Sequence, residues 1–226
     1  MSIAGKAAPA QHLTSDMVLV HKVFRRELRL LAQLIAGVQL GDSHRASALA
    51  AHYGELATAL RHHHQAEQDL LLRKLSDRAP LDPAVERQLA QWRREHAALM
   101  SELEALLPMW VESTDAELRA VVADILTELA ATVADHLDAI ETAVLPAVDR
   151  HFSPGEWLAL GLRAASWIPI NRMAWMLGAM LEDATPEERK NLMSRVPAPA
   201  RLLYRMVGQE QYVREMRALR GGLTPA

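Results

Sequence analysis

Four stretches of the sequence place apolar residues every three or four positions, which is the spacing of one face of an α-helix. The first stripe consists of Met17, His21, Phe24, Leu28, Leu31, Ile35 and Val38. The other three stripes are Leu49, Tyr53, Leu56, Leu60, His63, Glu67 and Leu70; Leu89, Trp92, His96, Leu99, Leu103 and Leu106; and Leu118, Val122, Ile125, Leu129, Thr132, His136, Ile140 and Ala143. Helices with such stripes bury them against one another, so the pattern predicts a helical bundle.

Helix-starting residues divide this region into four segments joined by short connections. The expected N-terminal caps are Thr14 or Ser15, Asp42 or Ser43, Asp82, and Thr114. We expect the third helix to end near Pro108 and the fourth near His151. Because short connections make successive helices antiparallel neighbours, the sequence predicts an all-α fold with an up-down-up-down four-helix bundle over residues 15–151.

The segments on either side of the bundle have different compositions. Residues 1–14 contain several alanines together with glycine and proline, and we expect them to form a disordered lead. After the bundle, Pro154, Pro169 and Pro186 divide an apolar region into short helical patterns. Residues 152–226 are therefore predicted to form a C-terminal helical extension that packs on the bundle.

Composition excludes several classes of function. The chain contains 226 residues and no cysteine, which excludes disulfides, thiolate metal sites and thiol catalysis. A net charge of -3 without a basic stripe gives no reason to expect a nucleic-acid partner. The sequence has no run of about 18 uncharged apolar residues that would predict a membrane span, and it does not begin like a signal peptide. We therefore expect a soluble cytoplasmic protein.

Each apolar stripe contains one histidine at an inward position, namely His21, His63, His96 and His136. Glu67 lies one turn after His63 on the same face, and burying an imidazole and a carboxylate without partners costs several kcal/mol. A single inward histidine is most often a hydrogen-bonded core residue, but four of them with inward acids favour a shared metal site. His62 and His64 lie about 100° from His63 on the helical wheel, so we expect them at the flank or surface.

Glu141 follows His136 by five residues, which separates the two side chains by about 140° on an ideal α-helix. That separation is poor for binding one ion. It becomes favourable if Glu141 bridges to a second ion, or if a π-helical turn locally rewinds the helix. Nitrogen and oxygen ligands with open coordination positions suit iron.

In this order, these residues resemble the hemerythrin-like, or HHE cation-binding, domain. The resemblance rests on His21, the run His63-His64-Gln65-Ala66-Glu67, Glu95-His96, and His136 to Glu141 followed by Leu145-Pro146. It covers about residues 15–151 and implies a non-haem di-iron centre. The implied ligands are His21 and His63 on one iron, His96 and His136 on the other, and Glu67 and Glu141 as bridges.

The third helix departs from the family pattern at Met100. The family usually has a second histidine four residues after the one on this helix, which here is His96. A thioether is a poor ligand for ferric iron, so we expect one iron to be either more open and reactive or weakly held. On this reasoning Met100→His raises the iron occupancy and slows any reaction with peroxide.

Two functions are compatible with such a centre. The first is a protein that binds peroxide, O2 or NO at an open iron under oxidative stress. If it also reacts with that oxidant, it is an enzyme. The second is a sensor without turnover, in which iron or ligand occupancy moves the C-terminal extension and changes its contact with a protein partner. A metal-free helical scaffold is the remaining alternative, and tightly held iron in the purified protein would exclude it.

Overall fold

The fold consists of helices, with no β-strand in residues 13–221, the range that the computed structural model describes. The predicted all-α class is therefore confirmed. The first four helices are α1, Ser15–Ala36; α2, Ser43–Ala66, which continues through a π-helical turn at Glu67–Leu72 to Arg73–Ser76; α3, Pro83–Ser113; and α4, Ala116–Ala139, which continues through a π-helical turn at Ile140–Val144 to Leu145–His151. The predicted disordered lead, residues 1–14, lies outside the described residues except for Leu13 and Thr14.

The four long helices pack as a bundle. α1 contacts α2 and α4, and α3 contacts the same two helices from the other side. The connections at residues 37–42, 77–82 and 114–115 are too short for any arrangement other than antiparallel neighbours. The predicted four-helix bundle is therefore confirmed.

The junction between α3 and α4 differs from the prediction. α3 continues past Pro108 to Ser113, because Trp110 is fully buried in the core and offsets the cost of a proline within the helix. Thr114 ends α3 in the left-handed region, with φ of 51°. Asp115, rather than Thr114, then caps α4 by accepting hydrogen bonds from backbone N–H groups of its first turn.

Two apolar clusters fill the interior of the bundle. The larger cluster includes Phe24, Ile35, Leu49, Leu60, Met100, Leu103, Trp110, Leu126 and Val133. The smaller cluster includes Leu71, Leu75, Leu89, Ile140, Val144, Val148 and Phe152. On α2, α3 and α4 the inward histidine falls between members of the two clusters; on α3, for example, His96 follows Leu89 and precedes Met100. On α1, His21 lies between Met17, which packs against the smaller cluster, and Phe24 of the larger one. The bundle therefore contains one polar layer between two apolar ones.

Four further helices follow the bundle within the described residues. They are α5, Pro154–Ala165; α6, Met173–Glu182, preceded by a 3₁₀ turn at Ile170–Arg172; α7, Pro186–Arg195; and α8, Ala198–Leu203, which continues through a π-helical turn at Tyr204–Gly208 to Gln209–Arg220. α6 packs against α8 and α1, and Val23 of α1 joins Ala179 and Tyr212 in a small buried cluster. None of the described helices is long and apolar enough to cross a membrane.

A largely buried group of polar and charged side chains joins α1 to this C-terminal region. The group, called the Glu27 ion network below, consists of Arg26, Glu27, His52, Glu182 and Arg220. Arg220 donates from Nη2 to Glu27 Oε1 and from Nη1 to Glu182 Oε1, each at 2.6 Å. Burial alone would raise the pKa of Glu27, but the contacts with His52, Arg26 and Arg220 lower it to about 2. His52, which lies outside the predicted apolar stripe of α2, is also buried and contacts Glu27.

Candidate metal centre

The polar layer brings the predicted ligands of all four bundle helices into one region. His21, His96 and His136 have no exposed surface, and Glu67 is only 1% exposed. His63 is half-buried as a residue, although its Nε2 atom is buried. The layer divides into two groups that meet at Glu67.

His21, His63 and Glu141 form the His21 group, which lies beside α1. The rings of His21 and His63 meet edge to face, with centroids 5.2 Å apart. His21 Nδ1 shares a hydrogen bond with Glu141 Oε1 at 2.7 Å, and Arg25 Nη1 donates to the same oxygen at 2.8 Å. The Glu141 side chain is 26% exposed, so this group is the part of the layer that opens towards solvent.

His64, His96 and His136 form the His64 group on the other side of the layer. Their ring centroids are 5.1 Å apart between His64 and His96, 5.2 Å between His64 and His136, and 5.5 Å between His96 and His136. One ring nitrogen from each residue lies within 4.8 Å of the other two. Three imidazoles that converge in this way can hold one metal ion.

Glu67 lies between the two groups. Its Oε2 shares a hydrogen bond with His136 Nε2 at 2.9 Å, and its Oε1 accepts one from Arg93 Nη1 at 3.2 Å. The same carboxylate also acts electrostatically on His21 and His63 in the other group. This position suits a carboxylate that bridges two metal ions.

The prediction that His64 lies at the flank or surface is wrong. The residue is 8% exposed, and its ring stacks on His96 with an interplanar angle of 18°. α2 packs between α1 and α3, so a turn of about 100° around its axis points a side chain at the neighbouring helix rather than at solvent. His63 accordingly faces His21 of α1, and His64 faces His96 of α3. His62 is half-buried beside Trp167, away from the layer.

Both candidate bridging acids lie in π-helical turns, Glu67–Leu72 and Ile140–Val144. The sequence suggested such a turn as one explanation for the spacing of Glu141, but it gave no indication of the turn at Glu67. Each turn moves the core face by one residue. Leu71 rather than Leu70 is buried on α2, and Val144 rather than Ala143 is buried on α4.

Burial favours the neutral form of His21, His63, His64 and His96 by lowering their pKa values. It lowers the pKa of His21 despite the nearby Glu141, and it lowers the pKa of His63 further because His21 lies beside that ring. Burial and the neighbouring imidazoles lower the pKa of His64 to about 2 and that of His96 to about 4. A neutral imidazole has a free lone pair, which is the form that binds metal ions.

The two acids of the layer are charged. Burial alone would raise the pKa of Glu67, but its hydrogen bond with His136 and the charge of Arg93 lower it. The pKa of Glu141 is lowered in the same way, by hydrogen bonds with His21 and Arg25 that outweigh burial. Charged carboxylates beside neutral imidazoles are the ligand states that a divalent cation requires.

Unpaired ring nitrogens indicate what the layer is built to hold. Nε2 of His21, His63, His64 and His96 is buried and has no hydrogen-bond partner among the described residues. Leaving a buried polar group without a partner costs about 1–3 kcal/mol. A metal ion bound by these nitrogens would remove that cost, so the residues present fit a metal centre. The donors are nitrogen and oxygen, which suit iron.

Comparison with known proteins agrees with this geometry. Residues 12–148 match the family model of the hemerythrin HHE cation binding domain, which is more than half of the chain. No curated protein and no solved structure shows significant similarity to the chain. The matched range contains all four bundle helices up to Val148, together with every histidine and acid of the polar layer. The chain therefore belongs to the hemerythrin HHE cation-binding family.

Proposed function

We propose that this chain is a non-haem di-iron protein that binds or reacts with a small oxidant, such as peroxide, O2 or NO. The observation that carries the proposal is the buried layer of imidazoles and carboxylates, in which ring nitrogens lack partners among the described residues. Membership of a cation-binding family supports the same conclusion. The proposed ligands are His21, His63, Glu67, His96, His136 and Glu141.

The donor set leaves room for a small ligand. The six proposed residues supply four imidazole nitrogens and four carboxylate oxygens, fewer than the about twelve positions of two octahedral ions. Bound iron would supply the electrons and open coordination positions needed to react with a small oxidant. The open site is therefore proposed from the number of donors and does not depend on Met100.

Two arginines hold the bridging acids in place. Arg25 donates to Glu141 and Arg93 donates to Glu67, one arginine to each carboxylate. These contacts favour the ionised form of both acids and restrict how each carboxylate can turn within the site. The apolar clusters on both sides of the layer limit the entry of water along the bundle axis.

A small ligand would enter beside Glu141. The side chain of Glu141 is 26% exposed and His63 is half-buried, whereas His96 and His136 are fully enclosed. Entry from this side brings a ligand first to the His21 group. We propose that the oxidant binds in the His21 group, between the partly exposed Glu141 and the buried Glu67.

The test is metal content together with turnover. Purified protein loaded with ferrous iron is analysed for iron per chain and for its optical spectrum, and the consumption of peroxide and NO is then followed. The matched pair of variants is His136→Ala and His151→Ala, a buried and an exposed histidine of the same helix. We expect His136→Ala to lower metal affinity by about 10-fold or more. His151→Ala should bind iron as the wild type does.

Two results would contradict the proposal. The first is wild-type protein that holds no metal after loading and desalting. The second is an equal loss of metal affinity in His136→Ala and His151→Ala, which would mean that binding is adventitious.

A sensor without turnover is the second candidate, and the Glu27 ion network favours it. α1 carries His21 of the proposed centre, and six residues later it carries Glu27, which pairs with Arg220 of α8. A small movement of α1 on metal or ligand binding would therefore reach the C-terminal helices directly. We propose that residues 152–226 form the surface that contacts a protein partner in that case.

Limited proteolysis separates the two candidates. A sensor binds peroxide or NO in a stoichiometric amount and changes the cleavage rate within residues 152–226. An enzyme consumes many equivalents, and its cleavage pattern is independent of the ligand. Rapid turnover with an unchanged pattern would exclude the sensor.

A further inference from the structure

We infer that His64 is a metal ligand and that it takes the place left vacant by Met100 on α3. The inference rests on the proposed di-iron function and adds a seventh protein ligand to it. It also assigns the consecutive residues His63 and His64 to different metal ions, His63 with His21 and His64 with His96 and His136.

The geometry of the His64 group carries the assignment. The three ring nitrogens lie within 4.8 Å of one another before any ion draws them together. Donors bound to one ion at about 2.1 Å are roughly 3 to 4 Å apart, so small ring rotations bring all three within range.

His64 has no other polar role within the described residues. Its Nε2 is buried without a hydrogen-bond partner, whereas an ordinary core histidine would be paired. If residue 64 only had to stack on His96, an apolar ring could do so. Such a ring has no nitrogen to leave without a hydrogen-bond partner. An imidazole at this place is explained by an ion that it shares with His96 and His136.

Met100 explains why α2 supplies this ligand. It lies one turn after His96 on α3, is 3% exposed, and belongs to the larger apolar cluster. The third imidazole therefore comes from α2, the helix that faces α3. It belongs to His64, which directly follows His63, a proposed ligand of the other ion. In consequence Met100→His should not raise iron occupancy, contrary to what the sequence alone predicts, because the place that it would fill is already taken.

Metal titration of four variants tests the inference. Ferrous iron gives the stoichiometry, and cobalt(II) serves as a spectroscopic probe, since its visible absorption changes when an imidazole ligand is lost. The variants are His64→Ala, the size-conserving His64→Gln, the neighbouring control His62→Ala, and the double variant His64→Ala/Met100→His. Circular dichroism establishes that each variant is folded before it is titrated.

We expect His64→Ala and His64→Gln to hold about one ion tightly and to bind the second at least about 10-fold more weakly than the wild type. His62→Ala should match the wild type in both ions. The double variant should recover part of the second ion, because a histidine at position 100 then finds the place empty. If His64→Ala does not fold, His64→Gln gives the same comparison.

The possible failures are distinguishable. Wild-type protein that binds no metal refutes the proposed function itself. Wild-type protein that binds two ions, with both His64 variants retaining wild-type affinity and an unchanged cobalt spectrum, refutes only the role of His64. Equal losses in His62→Ala and His64→Ala also refute it, since His62 lies outside the layer.

Discussion

Arg220→Ala measures how strongly the Glu27 ion network holds α8 to the bundle. Arg220 is 5% exposed and binds both Glu27 and Glu182, so its removal leaves the buried Glu27 with fewer compensating charges. Breaking a buried ion pair by removing one partner costs about 3–5 kcal/mol. Because Arg26 and His52 still contact Glu27, we expect the free energy of unfolding to fall by about 2–3 kcal/mol, below that range.

The pKa of Glu27 provides an independent estimate and a pH dependence. A fall from the ordinary 4.5 to about 2 corresponds to about 3 kcal/mol, shared among His52, Arg26 and Arg220. Because the folded pKa lies below the unfolded one, this stabilisation is present above pH 4.5 and is lost as the pH falls towards 2. The difference between wild type and Arg220→Ala should therefore shrink on acidification.

Urea and thermal unfolding at several pH values test this expectation. At neutral pH the predicted loss corresponds to a fall in Tm of about 5–10 °C for a chain of this size. Arg217→Ala is the matched control, since it removes the same charge from an exposed position of α8 and should change stability by less than about 0.5 kcal/mol. The reasoning is refuted if the two variants lose the same stability, or if the loss in Arg220→Ala is undiminished at pH 3.

Two further predictions concern packing and protonation. Gly178→Ala places a methyl group 2.5 Å from Tyr212 Cγ and should destabilise the protein by about 1–3 kcal/mol in urea titrations. Gly161→Ala is the control, because its methyl group meets no described atom within 4 Å, and it should raise stability by about 0.4–1 kcal/mol. If both variants change the free energy of unfolding in the same direction, the close approach of α6 and α8 is contradicted. The metal-free protein should lose stability as the pH falls below 6.5, because burial lowers the pKa of His64 to about 2 and that of His96 to about 4, and only the unfolded chain takes up those protons. Equal urea midpoints at pH 7 and pH 5 would show that these histidines are protonated without unfolding.

The sequence predicts the bundle and the level of the polar layer well, because both follow from helical periodicity. A stripe that passes through His96 between Leu89 and Leu103 specifies which face is buried and how far along the helix the imidazole lies. Periodicity also places His21 and His136 on inward faces, and the structure finds both fully enclosed. Their role as metal ligands stays a prediction.

The sequence does not predict which neighbour a flanking residue meets. A helical wheel for α2 gives the angle between His63 and His64 but not the positions of α1 and α3, so the sequence predicts His64 at the flank or surface. The same limit affects His52, which lies in register with Leu49 and Leu56 and could have been included in a wider stripe. A wider stripe of about 100° or more is usual for helices packed on two sides.

The π-helical turns account for the remaining errors along α2 and α4. An ideal period of 3.6 residues continues the stripe to Leu70 and Ala143, whereas the wide turns move burial to Leu71 and Val144. Nothing in local propensity marks these turns. On α4 the spacing of five between His136 and Glu141 was the only signal, and it was ambiguous.

The apolar clusters on either side of the polar layer have a consequence for metal loading. Small metal-dependent domains fold only when the ion arrives, so much of the binding free energy goes into ordering the chain. In this bundle, the larger and smaller clusters anchor all four helices on both sides of the histidines without any contribution from the layer. The proposed ligands are thus preorganised, and the binding free energy of an ion would be expressed as affinity rather than as folding. Removal of a bound ion should therefore leave the helices assembled and able to bind the ion again.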